Sequence, residues 1–376
     1  MPNYLSSFLS IIALSLILSS CKDDPEPNVQ LPSNLVVAAE VDKEEEGLVY
    51  VTASATSANF YTFIFEEDGE ETYVEDAEGE ASFRYQTSGT FPITVRANTT
   101  HNDYIEDLTE ISVTVDNVIP GNGGNPPASG YTTPLTYDGY ALAWNDEFDG
   151  TSLSSDWNQE IGTGSGGWGN NELQYYRVEN TTVSDGYLTI EAREESFGGS
   201  NYTSSRITTQ NNQSFRYGRI DIRAAMPYGK GLWPALWMLG NNISSIGWPS
   251  CGEIDIMEMV GGNVTGGGNH VTHGTVHWDN NGQHASFGGS MSLAEGTLAD
   301  EFHVYTILWD STSIEWYLDD KKYHTIDIQP SGLDAFREEF FFIFNVAVGG
   351  NWPGSPNSAN TFPQRMYVDY VRVFQK

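Results

Sequence analysis

The chain has 376 residues, and its 51 acidic side chains against 17 basic ones leave a formal charge of −34. That length fits two or three domains, and a charge of that sign excludes nucleic acid and anionic membrane surfaces as partners and argues against sulfated or uronate polymers. A neutral partner is expected. Two cysteines, Cys21 and Cys251, are too few for a disulfide framework even in an exported protein.

Residues 5–20 form an apolar run, Leu5-Ser-Ser-Phe-Leu-Ser-Ile-Ile-Ala-Leu-Ser-Leu-Ile-Leu-Ser-Ser20, too short and serine-rich for a membrane span. Residues 1–20 read as a signal peptide. Leu18-Ser-Ser-Cys21 resembles the bacterial lipobox, in which the cysteine is lipidated and becomes the mature N-terminus, although no Lys or Arg precedes the apolar run. The resemblance implies a lipid anchor on Cys21, export, and an outer-membrane lipoprotein exposed at the cell surface. Lys22-Asp-Asp24 is either an acidic export tag, resembling those of Bacteroidetes-type surface lipoproteins, or the start of a plain solvated tether over 21–34.

From residue 35 to 118 short β-type segments recur, among them Leu48-Val-Tyr-Val-Thr52, Tyr61-Thr-Phe-Ile-Phe65, Phe91-Pro-Ile-Thr-Val95 and Ile111-Ser-Val-Thr-Val115. Turns rich in Gly, Asp and Asn separate them, the pattern of a small β-sandwich. The module weakly resembles a polycystic-kidney-disease-type (PKD) Ig-like domain. Tyr61, Phe63 and Phe65 share one strand face at period two, which favours core over ligand contact and a spacer over a carbohydrate-binding module. Residues 119–135, opening Ile119-Pro-Gly-Asn-Gly-Gly-Asn-Pro-Pro, have linker composition, so the main domain is expected over 136–376.

Beyond residue 140 strand-like runs continue to the end, including Tyr187-Leu-Thr-Ile-Glu-Ala192, Gly218-Arg-Ile-Asp-Ile-Arg223, Val304-Tyr-Thr-Ile-Leu-Trp309 and Phe340-Phe-Phe-Ile-Phe-Asn-Val-Ala-Val348. Amphipathic helical runs are absent. The fold class is all-β, and so many strands predict two large curved sheets packed face to face, a jelly-roll sandwich of concanavalin A-like type.

The chemistry concentrates in Cys251-Gly-Glu-Ile-Asp-Ile-Met-Glu258. Alternation puts Glu253 and Asp255 on one strand face, with Ile254 and Ile256 packed inward. Glu258 is an odd number of residues from Glu253 and would point the other way on a regular strand. A β-bulge at Ile256 or Met257 restores it to the same face. Three crowded carboxylates repel and push at least one acid toward its protonated form, which serves no structural purpose but suits glycoside hydrolysis, where one ionised and one protonated carboxyl act together. Cys251 reads as a small hydrophobe beside them, since no basic neighbour would lower its pKa.

With Trp233-Pro-Ala-Leu-Trp237-Met before it and Gly167-Trp-Gly-Asn-Asn-Glu-Leu-Gln-Tyr-Tyr176 earlier, the acid run resembles glycoside hydrolase family 16, in particular its laminarinase branch, the endo-β-1,3-glucanases. The resemblance covers residues 142–374. It implies a retaining mechanism with Glu253 as nucleophile, Glu258 as acid/base and Asp255 as orienting neighbour, roles that chemistry alone does not divide between the two glutamates. It places Trp168, Asn171, Arg206, Trp233, Trp237 and His277 at the substrate, although Ser205 stands where laminarinases carry a glycine before the arginine. Period two alone puts Trp233, Ala235 and Trp237 on one side, flanking a slot that admits a sugar ring, and Pro234 predicts a local irregularity in that strand. His270, His273 and His277 do not make a zinc site, because on a strand their imidazoles stand too far apart.

The resemblance also implies a structural calcium held by Glu147, Asp369 and a backbone carbonyl near Asp185 and Gly186, a chemically sensible set of hard oxygen ligands. No cofactor is expected for catalysis, and the expected state is a monomer acting on a neutral β-glucan. The alternatives are a family 16 hydrolase of mixed-linkage glucan or of galactans, and a non-catalytic glycan-binding lipoprotein, which would have no use for all three acids.

Overall fold

The computed structural model describes residues 29–42, 47–67, 70–85, 88–114, 125–262, 267–357 and 360–376. The segment expected to be a signal peptide, Cys21 and the acidic residues after it lie outside these. The chain divides into two units, Met1–Val115 and Asp116–Lys376, and the one α-helix among the described residues is the single turn Ile243–Ile246. None of the described helices is long and apolar enough to cross a membrane.

The first unit is a sandwich of two antiparallel sheets. Ser33–Val41, Leu48–Thr56 and Glu80–Arg84 form one, and Glu70–Asp76, Phe60–Glu67, Gly89–Thr100 and Asp103–Val113 the other. Phe63 and Phe65 are fully buried and Tyr61 nearly so, and they pack against Val49, Val51 and Val95, the fate their period-two spacing predicts. The first strand starts at Ser33, inside the segment expected to be tether.

The second unit is the jelly-roll sandwich, with a ten-stranded and a seven-stranded sheet face to face. It begins earlier than composition implies. Gly130 bridges to Phe302, Tyr131 N–H donates to the Phe302 carbonyl at 2.8 Å, and Arg372 Nη1 donates to the Thr133 carbonyl at 2.9 Å. These residues look like linker because their partners lie far along the chain.

Between the sheets runs one apolar core. Ile254, Ile256 and Met257 enter it from the acid strand and meet Ile307, Ile314 and Trp316 of the opposite sheet. Strand Phe340–Val348 is buried along its whole length, so it reads as a continuous apolar run instead of an alternating one. Phe340, Phe342 and Phe344 fill the core, while Phe341 and Ile343, on the other face, pack with Leu239 and the buried Cys251. Truncating Phe344 to Ala should cost about 3–5 kcal/mol by transfer and cavity effects together.

The seven-stranded sheet carries the functional cleft. Its order is His284–Ser292, Val271–Asp279, Glu253–Glu258, Leu232–Gly240, Phe340–Val348, Arg206–Thr208 and Asn158–Glu160, antiparallel throughout. The irregularity expected near Pro234 falls on one side of its strand only, where the register against Glu253–Glu258 shifts between Leu236 and Trp237. The pairing of Pro234 with Val346 belongs to an unbroken register along Phe340–Val348, and its carbonyl accepts from Met259 N–H at 3.2 Å, beyond the end of the acid strand.

Candidate active site

The bulge is where the carboxylate spacing requires it. Against Val271–Asp279, Asp255 pairs with Thr275 and Glu258 with His273, so three residue steps on the acid strand face two on its neighbour. Against Leu232–Gly240, Asp255 pairs with Trp237 and Met257 with Leu236, which leaves Ile256 as the extra residue. Glu253, Asp255 and Glu258 therefore share the cleft face.

Register then explains what surrounds them. One row across the sheet runs His273, Glu258, Ala235, Asn345, Arg206, Glu160. The next runs Thr275, Asp255, Trp237, Ile343, and the one after it begins with His277 beside Glu253. The small Ala235, between Trp233 and Trp237, leaves the slot its spacing predicts. The cleft encloses about 600 Å³ and is lined by all three acids and both tryptophans.

Asp255 is 2% exposed and Glu258 9%. Burial holds all three carboxyls above their usual range, and repulsion from Asp255 raises both glutamates further. Opposing this at Glu253 are the nearby His277 and the Trp248 indole, whose Nε1–H donates to Oε2 at 2.9 Å. At Glu258 the indole of Trp233 does the same to Oε1 at 2.9 Å. Burial alone raises Asp255, and the polar neighbour of its Oδ2 is His277 Nε2 at 3.2 Å. The trio cannot all ionise, so near neutral pH at least one of the three carboxyls keeps its proton, while the indole donors favour charge on the glutamates. One ionised and one protonated carboxyl in a single cleft is the requirement for glycosidic bond cleavage.

His277 lines the cleft, with Nε2 3.2 Å from Asp255 Oδ2 and 3.7 Å from Glu253 Oε1. Its Nδ1 pairs with His284 Nε2 at 2.8 Å. Glu253, Asp255 and His277 are also the one set of His, Cys, Asp and Glu among the described residues close enough to share a metal ion. His273 takes no part, packing its ring against Trp352 at 4.9 Å. Arg206 lies between two indoles, its Cζ 4.5 Å from the centre of Trp168 and 4.9 Å from that of Trp237, and is ion-paired to Glu160. Trp168 can fold back because Gly164 has no Cβ, which would stand 2.7 Å from the indole. Asn171 is not at the cleft wall. Its Nδ2 donates to Asn351 Oδ1 at 2.8 Å, and it is the adjacent Asn170 that lines the cleft.

Residues 169–372 match the family model for glycosyl hydrolases family 16. A beta-glucanase of Rhodothermus marinus is 41% identical over 251 residues, covering 63% of this chain and 85% of its own. The chain belongs to glycosyl hydrolases family 16. Its catalytic unit is also similar to the laminarinase catalytic domain of Thermotoga maritima MSB8, with a TM-score of 0.58 at 46% identity over 63% of this chain and 98% of that one. The clotting factor G alpha subunit of Tachypleus tridentatus is 42% identical, and there the match spans only 34% of the relative's length.

The calcium that family 16 resemblance implies does not fit the residues present. Both oxygens of Glu147 are taken by Arg372, at 2.8 and 2.7 Å, and Asp369 Oδ2 accepts from Arg223 Nη1 at 2.8 Å. Each of the two acids that would ligate a divalent ion thus already has a guanidinium partner. Other cleft residues could not be read from motif spacing. Trp352, His284 and Asn345 line it from loops and strands distant from the acid run, and Trp248 from the turn just before it. Asn345 Oδ1 accepts from Trp237 Nε1 at 2.8 Å, and its Nδ2 donates to the Tyr176 hydroxyl at 3.2 Å.

Proposed function

We propose that this family 16 hydrolase is a retaining endo-β-1,3-glucanase of laminarinase type. The observation that carries the reading is the bulged acid strand, with Glu253 and Glu258 each held by an indole N–H in a tryptophan-lined cleft. The names of the Rhodothermus and Thermotoga relatives support a β-glucan, and a charge of −34 favours a neutral polymer over a sulfated galactan.

In this reading Glu253 attacks the anomeric carbon as the glycosidic bond breaks, forming a glycosyl ester, while Glu258 gives its proton to the departing oxygen. Deprotonated Glu258 then takes a proton from water, which displaces Glu253 and regenerates both carboxyls. Ester formation removes the charge on Glu253 that had opposed ionisation of Glu258, so the acid of the first step becomes the base of the second. Asp255 stands between them as a neutral orienting group.

Profiling products from laminarin, lichenan and agarose tests the substrate. Laminari-oligosaccharides of several lengths should accumulate early from laminarin, and preferential cleavage of lichenan or agarose would overturn the assignment. The further reading is of a surface lipoprotein anchored through Cys21, with the N-terminal sandwich as spacer. Its support is the lipobox-like Leu18-Ser-Ser-Cys21, and Cys21→Ala should shift the enzyme from the detergent phase to the aqueous phase in a partitioning assay.

A further inference from the structure

A β-bulge takes at least one backbone group out of the ladder, and leaving a buried carbonyl without a donor is costly. At the acid strand the carbonyl of Asp255, immediately before the extra residue Ile256, accepts from Trp316 Nε1–H at 2.8 Å. Trp316 comes from Ser313–Leu318 in the opposite, ten-stranded sheet, and it is fully buried. Its donor crosses the sandwich interior to the one strand that carries the catalytic acids.

The neighbouring strand makes room for it. Gly274 lies between His273 and Thr275, the partners of Glu258 and Asp255, and so sits alongside the bulge. A Cβ on Gly274 would stand 2.4 Å from Trp316 Cδ1 and 2.7 Å from Nε1. Without the indole N–H, the bulged strand loses a buried donor to the carbonyl before its extra residue, and the regular strand, which satisfies its own ladder, gains by comparison. A regular strand turns Glu258 away from Glu253.

We propose that Trp316 is a positioning residue that holds the acid strand in its bulged register and thereby keeps Glu258 in the cleft. The inference rests on the reading of Glu258 as acid/base. It makes a prediction that a merely structural role does not. Loss of a positioned acid matters for glucan, whose leaving alcohol needs a proton, and matters little for a 2,4-dinitrophenyl glycoside, whose leaving group does not.

The test uses the full chain with Trp316→Phe, which keeps a ring in the core and removes the donor, and in parallel a chain with the benzothiophene analogue of tryptophan at 316, which replaces N–H by sulfur at nearly constant shape. Glu258→Ala serves as reference. The expected result for either 316 variant is a fall of about 10²-fold in kcat/KM on laminarin, with kcat/KM on the dinitrophenyl glycoside within about threefold of wild type and its kcat accelerated by azide. Equal losses on both substrates, or an undiminished laminarin rate in a folded variant, overturn the proposal. If Glu258→Ala itself lacks the split between substrates, the acid/base reading fails; if Glu258→Ala has it and neither 316 variant does, only the role of Trp316 fails.

Discussion

The indole N–H of Trp233 donates to Oε1 of Glu258 at 2.9 Å. A donor to the ionised form favours that form, so this contact pulls the Glu258 pKa down against the burial and the Asp255 repulsion that raise it. Trp233→Phe should therefore leave Glu258 protonated to higher pH. The basic limb of the kcat/KM profile on laminarin should move up by about one pH unit, the size expected for one hydrogen bond to a charged group. A basic limb that stays in place or moves down would argue that Glu258 is not the acid.

Trp248 provides the matching test at the other end of the strand. It donates to Oε2 of Glu253 at 2.9 Å, and Glu253 must be ionised to attack. Trp248→Phe raises the Glu253 pKa, so here the acidic limb should move up, again by about one pH unit. The two substitutions thus separate the glutamates by which limb responds. If Trp248→Phe moves the basic limb and Trp233→Phe the acidic one, the roles of Glu253 and Glu258 are exchanged.

What could be read from sequence follows from how local each signal is. The acid strand and its bulge were legible because the odd spacing of Glu253 and Glu258 on an otherwise alternating run leaves few other solutions. The core face of Tyr61, Phe63 and Phe65 was legible for the same reason of period. His284 and Trp352 were not, since each reaches the cleft from a loop or strand edge whose place depends on long-range pairing, and Trp248, although close in sequence, lies in a turn with no periodic pattern to give its direction. Glu160 meets Arg206 only because Asn158–Glu160 pairs with Arg206–Thr208 at the sheet edge. Where resemblance alone spoke, for a calcium at Glu147 and Asp369 and for Asn171 at the sugar, it missed the arginines and Asn351 that engage those side chains.

Arg206 should be intolerant of lysine. Its planar group is held between the faces of Trp168 and Trp237 and paired with Glu160, a geometry an ammonium does not reproduce. Both Arg206→Lys and Arg206→Ala should raise KM for laminarin by about tenfold, with a smaller effect on kcat, because the loop carrying Trp168 loses its anchor. Full activity with lysine would mean that only the charge matters.

Chelation should leave the enzyme unaffected. Arg372 and Arg223 engage Glu147 and Asp369, so EDTA is expected to shift the melting temperature of the catalytic unit by less than about 1 °C, within the scatter of small surface effects. Glu147→Ala, by contrast, strands a largely buried Arg372 and should cost about 3 kcal/mol or more, read by denaturant titration. Stabilisation by added calcium that Glu147→Ala abolishes would restore the metal reading.

Asp255→Asn should reduce hydrolysis and stabilise the fold, and pH separates the stabilisation from a generic packing change. Burial pushes the Asp255 carboxyl up to about 8, far above the ordinary carboxylate range near 4 that it regains on unfolding. Between those values the native state binds a proton that the unfolded state has released, so stability declines as pH rises through the window and the loss is complete above the folded pKa. Asparagine does not titrate and carries no such loss. The variant should melt close to wild type at pH 4 and several degrees above it at pH 8, at about 2–4 °C per kcal/mol for a unit of this size. A melting difference that is the same at both pH values would mean that Asp255 ionises freely in the native cleft, and that the proton the mechanism places between Glu253 and Glu258 resides elsewhere.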